Sequence, residues 1–278
     1  MALSRISVLG CGWLGLPLAL SLIDRGYKVK GSTTTESKLT KFLEKGINPY
    51  YINLTPIVQA RDIRGFMEAE LIIINIPPGT RNRSALFHIE QIQNLKSHLE
   101  NSSAKYIIYV SSTSIYPNTN GEVKEEDFTE ISQAENKTLA TAEKMISEIP
   151  GKQVTILRCG GLTGYDRLLI RHFAGRKNLT IGEEPVNLIH RDDVIGIIEA
   201  IIEQEKWGEL YNICAPMHPL KKDFYMELAE RFGYELPEFV FSEQQSYKIV
   251  NGEKVVRELN YEYKYPDPMK FTYSAVNH

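Results

Sequence analysis

The sequence is poor in cysteine, with three in 278 residues. Cys11, Cys159 and Cys214 are far apart and odd in number, and a reduced, cytoplasmic setting fits them best. No Cys or His pair has metal-site spacing, so no metal is expected. No apolar stretch reaches the roughly 18 residues that a membrane span needs. The residues before Ile6 carry neither a charged n-region nor a long apolar h-region, so no secretion signal is read there. Long basic runs are missing and the net charge is −3, which argues against nucleic acid or an anionic membrane surface as a main partner. Internal repeats and low-complexity segments are absent too. What is present is ordinary for a globular chain, 42% hydrophobic and 24% charged. The length allows one large α/β domain, or one domain with a smaller lobe.

Strand and helix patterns alternate from residue 6 to about 160. Ile6–Leu9 is a short apolar run, followed by apolar residues at helical spacing from Trp13 to Asp24 and a stop at Gly26. Lys28–Thr33 reads as a strand, Glu36–Lys45 as a helix and Pro49–Leu54 as a third strand. "LIIINIPP" (Leu71–Pro78) suits a central parallel strand covered on both faces. A helix over Asn82–Leu99, a strand over Lys105–Thr113, a helix over Ser132–Ile149 and a strand over Gln153–Cys159 complete the series. This is the signature of a doubly wound parallel sheet, the Rossmann fold. Residues 1–160 are expected to form the NAD(P)-binding domain. Residues 161–278 are expected to interleave sheet completion with a small C-terminal substrate-side lobe. Asp166–Ala174 is expected to be helical. Asp192 and Asp193 open a further helix, where their charge favours the helix dipole. Lys221–Phe232 is another helix.

The first crossover reads "ISVLGCGWLG" (Ile6–Gly15). A helix N-terminus offers unpaired N–H groups and partial positive charge, so it attracts phosphate. Gly10 permits a tight turn, Gly12 permits close approach of a diphosphate, and Gly15 lets the helix pack on the strand. A glycine loop after a strand and opening a helix points to a dinucleotide. NAD sites usually carry an acid about 20 residues on. Here the second strand runs into "GSTTTESK", whose hydroxyls and Lys38 tolerate a 2′-phosphate, so NADP is favoured. Glu36 as a ribose ligand would favour NAD instead, and Ser and Thr capping the next helix is compatible with either.

With this loop, "VSSTSIYP" and "VNLIHRDDVIG", the chain resembles the extended short-chain dehydrogenase/reductase family, the NAD(P)-dependent epimerases and dehydratases of nucleotide sugars. "GCGWLG", "SSTSIY" and "YNICAP" resemble an atypical bacterial branch of nucleoside-diphosphate-sugar epimerase-like proteins. The resemblance implies cofactor contacts at Gly10, Gly12, Trp13, Leu14, Gly15, Ser32, Thr33, Thr34, Ile76, Pro77 and Ser111. It implies that Ser112 and Thr113 bind a substrate oxygen. The substrate is then a small molecule, a sugar or nucleotide-linked sugar, and relatives often pair through helices such as those near residues 82–100 and 132–149, which makes a homodimer the expected assembly.

The family's chemistry uses a tyrosine with a lysine four residues on, which lowers the tyrosine pKa. Aligned on Glu143, the tyrosine position holds Glu135 and the lysine position Leu139. None of the fifteen tyrosines has lysine at the fourth place. Tyr116 and Tyr165 remain as candidates to supply a proton near the expected nicotinamide end, with a packing role the favoured reading for each. His190 is expected to be a hydrogen-bonded structural histidine, and Arg158 to be paired inside the fold. Arg81 and Arg83 could meet a phosphate, and Lys248 could too, against a solvated surface role for each. Two functions follow: an atypical oxidoreductase or epimerase, or a non-catalytic dinucleotide sensor that has lost the tyrosine–lysine pair.

Overall fold

The computed structural model describes residues 3–78, 84–128 and 130–274. Its first part runs β1 (Arg5–Leu9), α1 (Gly15–Asp24), β2 (Lys28–Thr33), α2 (Lys38–Glu44), β3 (Asn48–Leu54), β4 (Val58–Ala60), α3 (Ile63–Met67), β5 (Leu71–Ile74), α4 (Ala85–Glu100) and β6 (Tyr106–Ser112). It continues through β7 (Glu122–Val123), α5 (Lys137–Ser147), β8 (Gln153–Cys159), β9 (Gly161–Thr163), β10 (Leu188–His190), α6 (Arg191–Glu203), β11 (Leu210–Ile213), α7 (Lys221–Phe232), β12 (Ile249–Val250) and α8 (Glu253–Leu259).

Eight strands make one sheet in the order β11-β8-β6-β5-β1-β2-β3-β4. β1 pairs in parallel with β2 on one side and with β5 on the other, Ile6 lying opposite Val29 and Leu71. β4 folds back antiparallel on β3. The chain therefore builds outward from β1 to β3, then returns to the opposite side at β5. That reversal opens a crevice beyond the carboxyl ends of β1 and β5, where ligands of such sheets bind. The fold is the expected α/β, Rossmann-type sheet.

Two compact units divide the chain: residues 1–111, 136–157 and 198–210, and residues 112–135, 158–197 and 211–278. In the first, all four residues of β5 are sealed from solvent, because the strand is covered on both faces. Ile72, Ile74, Ile107 and Tyr109 of the sheet share a core with Leu95 and Leu99 of α4 and Ile146 of α5. In the second, Leu188, Ala215, Phe224, Leu228 and Phe271 form a separate core. Among the described residues no helix is long and apolar enough to cross a membrane.

Two local expectations change, and one first-turn charge gains partners. The helix expected from Ser132 starts at Lys137, because the Asn136 side chain accepts the Leu139 N–H at 3.1 Å and caps it there. Residues Ile131–Gln133 form a separate 3-10 turn. The helix expected over Asp166–Ala174 is only a 3-10 turn, Leu169–His172. Its entry is claimed by another strand of chain: Tyr165 donates its N–H to Thr272 and accepts the Ser274 N–H. Asp193, read as a charge favouring a helix dipole, is fully buried. Its carboxylate accepts from Tyr261 Oη and from the Lys264 and Tyr265 N–H groups, fastening the segment after α8 to α6. Burial pushes its pKa up.

Asp193→Ala would leave those three donors without their acceptor. We expect a loss of about 3 kcal/mol or more in unfolding free energy, read from urea denaturation.

Candidate functional site

The glycine loop is built by backbone packing. Gly10 has φ +99, a left-handed conformation that favours glycine. A Cβ on Gly10 would meet the Asn75 carbonyl oxygen at 2.3 Å, and one on Gly15 would meet the Gly10 carbonyl oxygen at 2.2 Å. Both glycines are thus required by the protein's own packing. Gly12 differs: a Cβ there meets nothing within 4 Å, and the residue is exposed. Nothing in the fold explains its lack of a side chain, whereas a bound diphosphate at the helix end would.

The end of α1 is open to such a guest. No side chain caps it and no acidic residue sits in its first turn. The first N–H groups of a helix have no intrahelical acceptor, so Pro17, which brings none, is tolerated there. Trp13 is half-buried and Leu14 buried. Burial pushes the Cys11 thiol up to about 12, so it is an inert packing group.

Around the loop, Ser32 is buried and its hydroxyl accepts the Gly10 N–H at 2.8 Å, while its carbonyl accepts the Cys11 N–H at 2.9 Å. Ser32 therefore braces the loop from within. Thr33 is also buried and accepts the Thr35 N–H. Thr34 and Thr35 are exposed just beyond. Glu36 is exposed and paired with Arg61 at 2.6 Å. On the other side, the Asn75 amide donates to the Gly10 carbonyl at 3.1 Å, followed by half-buried Ile76 and exposed Pro77. Sequence reasoning passed over Asn75 and Arg61; the signal for Asn75 was a polar residue closing an otherwise apolar strand. Arg81 and Arg83 lie outside the described residues. Ser111, on β6, is buried and donates to Glu143 Oε1 at 2.5 Å.

The second unit holds the other candidates. Ser112 is half-buried, and its hydroxyl accepts the Ser114 N–H at 3.1 Å while keeping its own proton to donate. Thr113 is buried. Tyr116, weighed as a proton-transfer candidate against a packing role, lies in the interior of the unit. It has no solvent exposure, its hydroxyl donates to Asn212 Oδ1 at 2.6 Å, and it accepts from Arg158 Nη1 at 2.8 Å. Burial pushes its pKa up to about 12. The Arg158 guanidinium also lies 5.0 Å above its ring. Asn212 in turn donates its N–H to buried Glu125 at 2.7 Å. Tyr116 is therefore a tie within a buried polar network, where Arg158 finds the partner expected of it.

Tyr165 is half-buried with φ 52, and its hydroxyl donates to Asp192 Oδ2 at 2.6 Å. The Arg191 guanidinium stacks 4.0 Å from its ring. His190 faces the Thr272 carbonyl with Nε2 and accepts the Asp192 N–H on Nδ1, with its pKa pushed down by burial. It is the hydrogen-bonded structural histidine expected. Glu135, at the tyrosine position of the family pattern, is exposed, and Leu139, at the lysine position, is buried in α5. Among the described residues no cluster of His, Cys, Asp and Glu could hold a metal ion.

Protein YeeZ of Escherichia coli is 36% identical over 270 residues, covering 96% of this chain and 98% of that protein. The chain belongs to the YeeZ family. Residues 5–134 of this YeeZ-family chain also match the family described as the NAD binding domain of 6-phosphogluconate dehydrogenase. The first part of this chain is thus a Rossmann domain similar to that NAD-binding domain. Among solved structures, a provisionally assigned NAD-dependent epimerase/dehydratase from Methylobacillus flagellatus superposes with TM-score 0.69 at 25% identity, covering 96% of this chain and 95% of that one. MoeE5, in complex with UDP-glucuronic acid and NAD, superposes with TM-score 0.76 at 14% identity, each chain covered to 97%. The latter likeness is one of fold.

Tyr116→Phe removes the hydroxyl shared by Asn212 and Arg158. We expect it to cost about 1–3 kcal/mol of stability in urea denaturation while leaving nicotinamide-dinucleotide affinity at the parent's value.

Proposed function

We propose that this protein is a nicotinamide-dinucleotide-dependent oxidoreductase or epimerase of the extended short-chain dehydrogenase/reductase type, from its atypical epimerase-like branch, acting on a sugar or nucleotide-linked sugar. The observation that carries this reading is Gly12: exposed, unconstrained by packing, and seated before the uncapped first turn of α1. The Leu14 and Gly15 amides, where the loop enters α1, would hold the diphosphate, as helix N-termini do. Residues 1–160 are assigned to the dinucleotide and residues 161–278 to sheet completion and the substrate. When bound, the nicotinamide would supply hydride acceptance and donation.

NADP is favoured over NAD. The acid placed to meet a ribose 2′-hydroxyl, Glu36, is already held by Arg61. Thr34 and Thr35 expose hydroxyls, and Lys38 adds positive charge on that side. A 2′-phosphate is thus met by donors and cations, with its nearest carboxylate neutralised.

Ser112 is the substrate-orienting hydroxyl in this reading, since its proton is unspent whereas Thr113 is buried. The partners are a small molecule and a second copy of the chain, rather than nucleic acid or a membrane, in a cytoplasmic setting. One observation favours the second reading, a non-catalytic redox sensor: the tyrosine and lysine positions hold Glu135 and Leu139, and Tyr116 has no free hydroxyl to replace them.

Fluorescence titration of the full chain with NADPH and NADH tests the proposal. NADPH is expected to bind more tightly than NADH. Gly12→Ala is expected to melt with the parent, because its Cβ has open space. It should weaken NADPH roughly tenfold through overpacking against the diphosphate. Parent-like binding by Gly12→Ala, or no binding by the parent, overturns the reading. Binding without loss of reduced-nicotinamide absorbance for any oxidised sugar selects the sensor.

A further inference from the structure

A cavity of about 270 Å³ lies wholly within the second unit. Its wall is a strap fastened at several points. β12 pairs in parallel with β7, Ile249 opposite Glu122 and Val250 opposite Val123. The Asn118 amide donates to the Ser246 carbonyl at 2.8 Å, and the Asn120 N–H donates to the Tyr247 carbonyl at 2.8 Å. Asn187, across the cavity wall, donates its amide to the Lys248 carbonyl and accepts the Val250 N–H, each at 2.8 Å. These bonds fix the backbone that carries Lys248.

The side chain of Lys248 is held as well. Its ammonium donates to the Tyr116 carbonyl, and Tyr116 is immobilised by Arg158 and Asn212. Among the described residues that carbonyl is its one hydrogen-bond partner, and no carboxylate pairs with it. The lining carries two other charges, and they cancel: Lys221 Nζ is paired with Glu184, which is further tied by accepting the Lys221 N–H at its own carbonyl. The cavity therefore presents one positive charge on a half-buried, pre-positioned lysine with donor capacity to spare. Burial pushes the pKa of this ammonium down, the Glu135 carboxylate acts against that and Lys221 acts with it, so an anion beside it would relieve the cost that remains.

We propose that this cavity binds a carboxylate, with the Lys248 ammonium as its counter-ion. Lys248 is the one cation of the lining outside an ion pair, which matches a singly charged group. A phosphate monoester, close to doubly charged at neutral pH, would leave one charge unmatched next to Glu184. The volume admits one sugar-sized group, so a sugar acid is the chemical class we assign. Only in calling the occupant a substrate does this rest on the proposed function.

Isothermal titration of the full chain at neutral pH with D-glucuronate, inorganic phosphate and D-glucose tests it. Glucuronate is expected to bind, phosphate to bind more weakly and glucose to give no heat. Lys248→Met keeps the aliphatic stem and should weaken glucuronate roughly tenfold to a hundredfold, the value of a charged hydrogen bond. Lys248→Arg should retain most of the affinity. Phosphate binding as tightly as glucuronate overturns the assignment, as does unchanged glucuronate binding by Lys248→Met or none by the parent. The comparison of the three probes needs no variant, so it decides even where a substitution unfolds the chain. NADPH titrated into the same sample reports separately: glucuronate binding with no NADPH binding leaves this site standing and removes the dinucleotide reading.

Discussion

Three backbone segments meet at the end of β1 with no room between them. The Gly10 Cα lies against the Asn75 carbonyl, and the start of α1 at Gly15 lies against the Gly10 carbonyl. Any side chain at either glycine would drive the first helix away from the crevice between β1 and β5. Ser32 from β2 and Asn75 after β5 hold the loop from both sides by hydrogen bonds to Gly10. The helix end is therefore a rigid part of the sheet's edge, and its dipole is aimed by packing rather than by a mobile loop. The dinucleotide reading of this chain depends on that arrangement.

Much of this was legible in the sequence. The β/α alternation, the central apolar strand at Leu71–Ile74 and the glycine spacing each have a direct physical cause, and the sheet places them as read. What was hidden is long-range pairing. Asp193 read only as a charge favouring a helix dipole, because its partners lie some seventy residues further on, at Tyr261, Lys264 and Tyr265. Tyr116 read as a candidate for chemistry because its partners Arg158 and Asn212 come from distant strands. Glu36 read as a possible ribose ligand, and its ion-pair partner Arg61 lies across the β3–β4 hairpin, out of reach of local pattern reading. Periodicity reports which face is buried; it cannot report which polar group waits inside.

The second unit departs most from the chemistry that the resemblance suggested. A buried chain of Arg158, Tyr116, Asn212 and Glu125 occupies its interior, satisfied at each link. Networks of this kind specify a single arrangement because breaking any member leaves the next unpartnered. Tyr116 thereby serves as scaffold, and the carbonyl it presents steadies Lys248. A candidate for proton transfer thus fixes the position of a cation beside a cavity.

Amide hydrogen exchange at Leu14 and Gly15, with and without saturating NADPH, tests the central claim most directly. The account predicts that exchange there slows by about tenfold or more, because these N–H groups gain acceptors on the diphosphate. Unchanged exchange there, with protection appearing only elsewhere in a chain that has bound NADPH, would contradict it.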